Sequence, residues 1–114
     1  MSTSNWTILT NRLGVDLRDP TQSSVEAAIQ DLHEHHGDAE HASLTLRQGS
    51  DDGPLRVLEL FSNGTMIYAH YSDSDFETLI SEKRAELLGV FDLTRRLEYL
   101  RSGDVPSLDS CQWT

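Results

Sequence analysis

The chain has 114 residues, of which 37% are hydrophobic and 25% are charged, a composition that fits one folded domain with a modest core. Nineteen acidic residues stand against nine Lys and Arg, so the formal net charge is -10. This charge disfavours direct binding to nucleic acid or to an anionic membrane surface, and it would attract a basic partner.

The first predicted element is a short strand. Residues 1–5 are small and polar and are expected to be disordered. Trp6–Thr10 is rich in β-branched and aromatic residues, which predicts a strand, and Leu13–Leu17 either extends that strand or pairs with it.

A helix is predicted over residues 20–36. Asp19 would be its N-cap, Pro20 suits the first helical position, and Gln22 would complete a capping box. Gly37 is the expected end of the helix. The apolar residues follow the spacing of one buried stripe: Val25, Ala28, Ile29 and Leu32.

The middle of the chain predicts an antiparallel meander of three strands. Ser43–Gln48 alternates, Leu55–Phe61 follows the turn at residues 51–54, and Thr65–Tyr71 returns after the tight-turn sequence Ser62-Asn63-Gly64. On one face of the second run we expect alternate residues, namely Leu55, Val57, Glu59 and Phe61.

Residues 74–88 allow two interpretations. Ser74 and Glu77 have the spacing of a capping box, which would start a helix. Phe76–Ser81 can instead be a fourth strand, with Glu82–Arg84 as a turn, and we prefer the strand because three strands make a narrow sheet for two helices.

The C-terminal part predicts a second helix from Asp92, with Leu93, Leu97 and Leu100 facing inward and Gly103 ending it. Trp113 in the tail is expected to dock onto the edge of the core. The whole pattern predicts an α+β fold: one domain, residues 1–114, with an antiparallel sheet of about four to five strands and two main helices packed on it.

The cysteine count and the apolar segments of the sequence indicate the cellular compartment. Cys111 is the single cysteine, so no internal disulfide can form. The segment MSTSNWTILTNRLG has no basic start followed by an apolar run, and no apolar segment is long enough to span a bilayer. We expect a cytoplasmic protein.

The sequence gives little specific support for catalysis or for metal binding. Four of the five histidines lie close together, and His33 and His36, with Asp38 or His41 from the following loop, have a spacing that could hold a metal. The segment lacks the H-E-x-x-H signature, and the preferred interpretation is a solvated helix end, where cationic histidines suit the C-terminal dipole. No serine lies in a G-x-S-x-G elbow, and Cys111 has no cationic surroundings. We therefore predict no catalytic residue, no bound metal and no cofactor.

The acidic residues are unevenly distributed. Residues 19–46 contain six acids and no Lys or Arg, and in residues 49–82 the one basic residue is Arg56. Aromatic and acidic residues mix after the predicted third meander strand, a composition that suits a protein interface as well as a core edge with a solvated loop. The predicted partner-binding residues are Asp51, Asp52, Tyr71, Asp73, Asp75, Phe76 and Glu77.

The order of these elements resembles the immunity proteins of bacterial polymorphic-toxin systems, in the group that neutralises nuclease or nucleic-acid deaminase toxins. The resemblance rests on the helix that starts at Asp19-Pro20-Thr21, on LTLR, LRVLELF, SNG and TMIYAHY, and on an ending with a helix, Gly103-Asp104-Val105-Pro106 and Trp113. Residues 72–92 depart from it, because that stretch is shorter than is usual in the group.

The resemblance implies an antiparallel sheet flanked by helices and a tight complex with a cognate, basic toxin domain, whose substrate cleft the acidic protein would occlude. We expect a monomer when the chain is free. Two alternatives remain at this point: a secretion chaperone or adaptor for a partner protein, and a small metal-binding enzyme that uses the cluster His33–His41.

Overall fold

The computed structural model describes residues 5–35, 37, 40, 42–50, 54–72, 78–86 and 89–113. The strands are β1 (Asn5–Thr10), β2 (Asp16–Arg18), β3 (Ser43–Ser50), β4 (Leu55–Phe61), β5 (Met66–Tyr71) and β6 (Leu79–Ala85). The helices are α1 (Gln22–Glu34), α2 (Val90–Ser102) and α3 (Val105–Asp109).

The described strands form one antiparallel sheet in the order β2-β1-β3-β4-β5-β6. The predicted α+β class is confirmed, but the sheet has six strands where four to five were expected. Of the two interpretations of Leu13–Leu17, pairing with the first strand is confirmed, because Asp16–Arg18 forms β2 antiparallel to β1 and brings the described sheet to six strands. Asn5 already belongs to β1, and residues 1–4, predicted to be disordered, lie outside the described residues.

One face of the sheet carries the main core. Leu46 on β3 lies opposite Leu9 on one side and Leu58 on the other, so a row of leucines crosses three strands. The helices bury their apolar stripes against this face; the stripe of α1 is Val25, Ile29 and Leu32, and that of α2 is Leu93, Leu97 and Leu100. Burial of these side chains is the main source of stability in a domain of this size.

The start and the end of α1 differ from the prediction. Asp19 has a φ of 51° and its N–H donates to the Thr7 carbonyl, so this backbone belongs to the sheet edge and cannot begin a helix. Thr21 is the N-cap, and its hydroxyl accepts from the N–H of Ser24. The helix ends at Glu34 with His35 as C-cap, before Gly37 is reached.

The segment from residue 79 is a strand, as preferred, and it continues through residues 82–84, where a turn was expected. The continuous pairing with β5 is the reason: Ala69 lies opposite Glu82, and Tyr68 lies opposite Lys83. The charged residues of this edge strand are typical of sheet edges that do not aggregate. Residues 74–77, where a helix was the other interpretation, lie outside the described residues.

The end of α2 is as predicted. Gly103 is its C-cap with a φ of 80°, a conformation that favours glycine. The start lies two residues earlier than expected, at Val90 after Gly89. The chain then forms the short helix α3, which was not predicted, capped by the Asp104 side chain.

The predicted docking of Trp113 is confirmed. Its indole packs partly buried against the core, 5.4 Å from the ring of Tyr68, and its N–H donates to the Leu108 carbonyl at 3.2 Å. The guanidinium of Arg96, which is almost fully buried, lies 4.6 Å from the indole centre and donates to the Gln112 carbonyl at 3.0 Å. The C-terminal segment is therefore held to α2 and β5 by an aromatic stack and a buried cation.

A candidate partner-binding surface

The face of the sheet opposite the helices, called the open face below, carries a second and smaller apolar cluster. It consists of the buried residues Leu55, Val57 and Ala69, with Trp6 and Tyr71 packed against them. The helices contribute nothing to this cluster among the described residues. Leu55, Val57 and Ala69 are themselves buried, so within the described residues the surface of this cluster is formed by the partly buried Trp6 and Tyr71.

Tyr71 is the one predicted partner-binding residue that the structure describes, and it lies in this cluster. Asp51 and Asp52, and likewise Asp73, Asp75, Phe76 and Glu77, lie outside the described residues.

The described strand ends that flank those residues in sequence lie at one end of the sheet. Gly49 near the end of β3 lies opposite Leu55 at the start of β4, which in turn lies opposite Tyr71 at the end of β5. The strand ends that flank residues 51–53 and 73–77 are thus adjacent in the sheet.

Two carboxylates border a cavity on the open face. Glu59 lies on β4 and Glu82 on β6, and the cavity, of about 320 Å³, is also lined by Thr45, Val57, Ile67, Ala69 and Tyr71. Burial of Glu59 raises the pKa of its carboxyl above the ordinary value of 4.5, because the charged form loses solvation there. The cavity therefore presents acidic groups above an apolar floor.

The basic residues of this region are directed elsewhere. Arg56 belongs to the helix-covered face, where its Nε donates to the Tyr68 hydroxyl at 3.1 Å. On the open face, Arg47 lies 3.8 Å from Asp16, and Arg84 lies 3.0 Å from Glu86. Among the described residues, neither Glu59 nor Glu82 has an ion-pair or hydrogen-bond partner.

The start of β6 carries exposed apolar side chains. Leu79 lies opposite Tyr71 on the neighbouring strand, and a bulge follows between His70 and Tyr71. Leu79 and the next residue, Ile80, are 48% and 56% exposed. Apolar side chains beside acidic ones form the kind of mixed surface that protein interfaces use.

The histidine-rich segment gives no metal site within the part of the chain that the structure describes. His33 and His35 each direct Nδ1 to a backbone carbonyl of their own helix, at Ile29 and Asp31. His36, Asp38 and His41 lie outside the described residues, so the metal-enzyme alternative gains no geometric support.

A groove between α1 and α2 is larger than the cavity on the open face, about 720 Å³ in volume. Ile29, Tyr99 and Phe91 give it an apolar lining, and Phe91 is 81% exposed. Its charged residues are of both signs, Glu26 and Arg95 among them, so its charge favours no particular occupant.

Glu59 and Glu82 were missed as candidate site residues from the sequence. The signal for Glu59 was present: it is the one charged residue in the alternating set Leu55, Val57, Glu59 and Phe61. Glu82 had no such signal, because its position on the open face depends on residues 82–84 being strand and not turn.

The described helices have at most 13 residues, and none of them is both long and apolar enough to cross a membrane. Comparison of the chain with protein-family models, with curated proteins and with solved structures gave no match.

Proposed function

We propose that this chain is an immunity protein that binds and occludes a cognate, basic toxin domain in the cytoplasm of the bacterium that makes both. The observation that carries the proposal is the acidic cavity on the open face, where Glu59 and Glu82 lie beside Tyr71 without a basic partner among the described residues. A protein that binds a cation-rich surface would present such groups.

The distribution of charge supports a protein partner. The net charge of -10 would repel nucleic acid, and it would attract the basic cleft of a protein that acts on nucleic acid. Leu79, which lies opposite Tyr71, adds exposed apolar area at the same edge of the sheet, which charge attraction alone would not require.

Co-expression tests this function. If the gene immediately upstream encodes a large protein with a basic C-terminal domain, that domain should arrest growth when expressed alone, and this chain should restore growth. The variant Glu59→Lys/Glu82→Lys should lose protection, whereas Glu26→Lys/Glu34→Lys, with the same charge change on exposed positions of α1, should keep it. Failure of the native chain to restore growth, or turnover of a substrate by the purified chain, would contradict the proposal.

A secretion chaperone or adaptor is the second candidate, favoured by the apolar groove between α1 and α2 with its exposed Phe91. Such a protein would be a dimer that holds an extended segment of its client, whereas an inhibitor would be a monomer that binds a folded domain. Sedimentation of the free chain separates the two, and Phe91→Ser should abolish client binding only in the chaperone case.

A further inference from the structure

The cavity on the open face is lined by residues of four adjacent strands, β3 to β6. Its floor comes from Val57, Ile67 and Ala69, and its two acidic sides are Glu59 on β4 and Glu82 on β6. β4 and β6 are separated by β5, so the backbones of β4 and β6 lie about 10 Å apart across the sheet. The cavity is thus wide enough for one side chain between the carboxylates.

The charge of the cavity is uncompensated within the described part of the chain. The basic residues nearest in register are Arg47, opposite Val57, and Arg84, opposite Ile67, and they lie against Asp16 and Glu86. Of the two acids, Glu59 is partly buried and Glu82 is exposed, so the carboxylate that loses solvation without gaining a partner is that of Glu59. A cationic ligand would therefore gain more here than at a fully solvated acid.

We propose that this cavity receives a single arginine side chain from the basic partner, with the guanidinium between Glu59 and Glu82 and its methylene stem on Val57, Ile67 and Ala69. The identity of the partner that supplies this arginine rests on the proposed function, whereas the chemistry of the cavity does not. Two carboxylates match the two hydrogen-bonding edges of a planar guanidinium. Tyr71, which also lines the cavity, offers an aromatic ring on which that plane can stack.

Other cations fit less well. A lysine ammonium is a compact charge that would reach one carboxylate better than two on separate strands. Among the described residues, no group of three or more His, Cys, Asp or Glu side chains is placed to hold a metal ion.

The test is an NMR titration of the full chain with N-acetyl-arginine methylamide at low salt. We expect saturable shifts at the amides of Val57, Ala69 and Glu82, with at least a several-fold weaker response to the lysine analogue. The citrulline analogue, which has the same shape without the charge, should give none. Equal shifts with citrulline, or no saturable shift with arginine, would overturn the inference.

Variants separate the cavity from the general charge of the protein. Saturable binding should disappear in Glu59→Gln/Glu82→Gln and persist in Glu26→Gln/Glu34→Gln, which removes the same charge from exposed positions of α1. Equal loss in both double variants would show that net charge alone attracts the probe, and the inference would fail.

Failure of the NMR titration is distinguishable from failure of the proposed function. If the arginine analogue binds in the cavity and the chain protects no cell, the inference holds and the immunity function is wrong. If the chain protects cells and the analogue does not bind, the function holds and the cavity is wrong.

Discussion

Glu59 carries a carboxyl group at a sheet position whose cross-strand neighbours are Thr45 and Ile67. Because burial raises its pKa, the neutral form is favoured in the folded state relative to the unfolded chain. The contribution of the Glu59 carboxyl to stability is therefore fully present below its unfolded pKa, near 4.5, and it is lost as the pH rises through the raised pKa of the folded state.

We therefore expect Glu59→Gln to raise the melting temperature at pH 7, because the substitution removes the cost of a poorly solvated charge. The advantage should shrink as the pH falls toward about 4.5, where the native carboxyl is itself neutral. Melting curves at several pH values measure this, with Glu26→Gln as the control for the change in net charge. A variant that melts below the native protein at pH 7 would contradict the reading of this site.

Tyr68 is a second residue with an identifiable polar role, on the opposite face of the sheet. Its hydroxyl donates to Asp109 at 2.9 Å and accepts from Arg56 at 3.1 Å, which joins β4 and β5 to α3. Burial, together with the hydrogen bond to Asp109, raises the pKa of Tyr68 to about 12.

Removal of this hydroxyl in Tyr68→Phe should lower the free energy of unfolding by about 1–2 kcal/mol, because Arg56 and Asp109 lose a shared partner. Urea denaturation measures the change. Tyr99→Phe is the matched control and should change stability by less than about 0.5 kcal/mol. Equal effects in the two variants would show that the hydroxyl bridge contributes nothing specific.

At the scale of elements, the C-terminal segment depends on side chains more than on its own helix. α3 has five residues, too few to be stable alone, and it is held through Leu108 and Trp113 in the core. The buried guanidinium of Arg96 lies over the indole and bonds the Gln112 carbonyl.

Trp113→Ala should therefore destabilise the fold by about 2–3 kcal/mol, because the indole is partly buried and also contacts Tyr68 and Arg96. Chemical denaturation checks the value. Gln112→Ala keeps the backbone carbonyl that Arg96 bonds and should behave like the native chain. If Trp113→Ala is as stable as the native chain, the C-terminal segment is not part of the cooperative fold.

The elements that local patterns specify were predictable from the sequence. The meander follows from alternation and from Ser62-Asn63-Gly64, where Gly64 has a φ of 89°, and the end of α2 follows from Gly103. The errors fall where tertiary pairing overrides a local signal. Asp19 and Pro20 suggest a helix start, but the backbone of Asp19 bonds Thr7 in the sheet.

The candidate site was predictable only in part, for the same reason. Tyr71 was found because aromatic and acidic residues follow its strand in the sequence. The nearness of Glu59 and Glu82 depends on β5 lying between their strands with a particular register, which no local pattern encodes.

At the scale of the whole molecule, the acidic sequences 51–52 and 73–77 each follow a strand that ends at the same end of the sheet. If they belong to the interface, Asp73→Lys/Asp75→Lys should slow association with the toxin domain at least several-fold, because steering by opposite charges sets the association rate. Stopped-flow mixing measures the rate, and Glu26→Lys/Glu34→Lys, on exposed positions of α1, is a control of equal charge. An unchanged rate would remove residues 73–75 from the interface.

The net charge of -10 leads to a prediction for the complex as a whole. Exposed charges are screened over about 10 Å at 0.1 M salt and over about 3 Å at 1 M, so steering should weaken across that range. We expect the association rate to fall at least tenfold, while dissociation changes less, because arginine held between Glu59 and Glu82 is partly shielded from ions. In Glu59→Gln/Glu82→Gln the dissociation rate should rise and the salt dependence of association should remain. A complex whose rates ignore salt would show that its attraction does not come from charge.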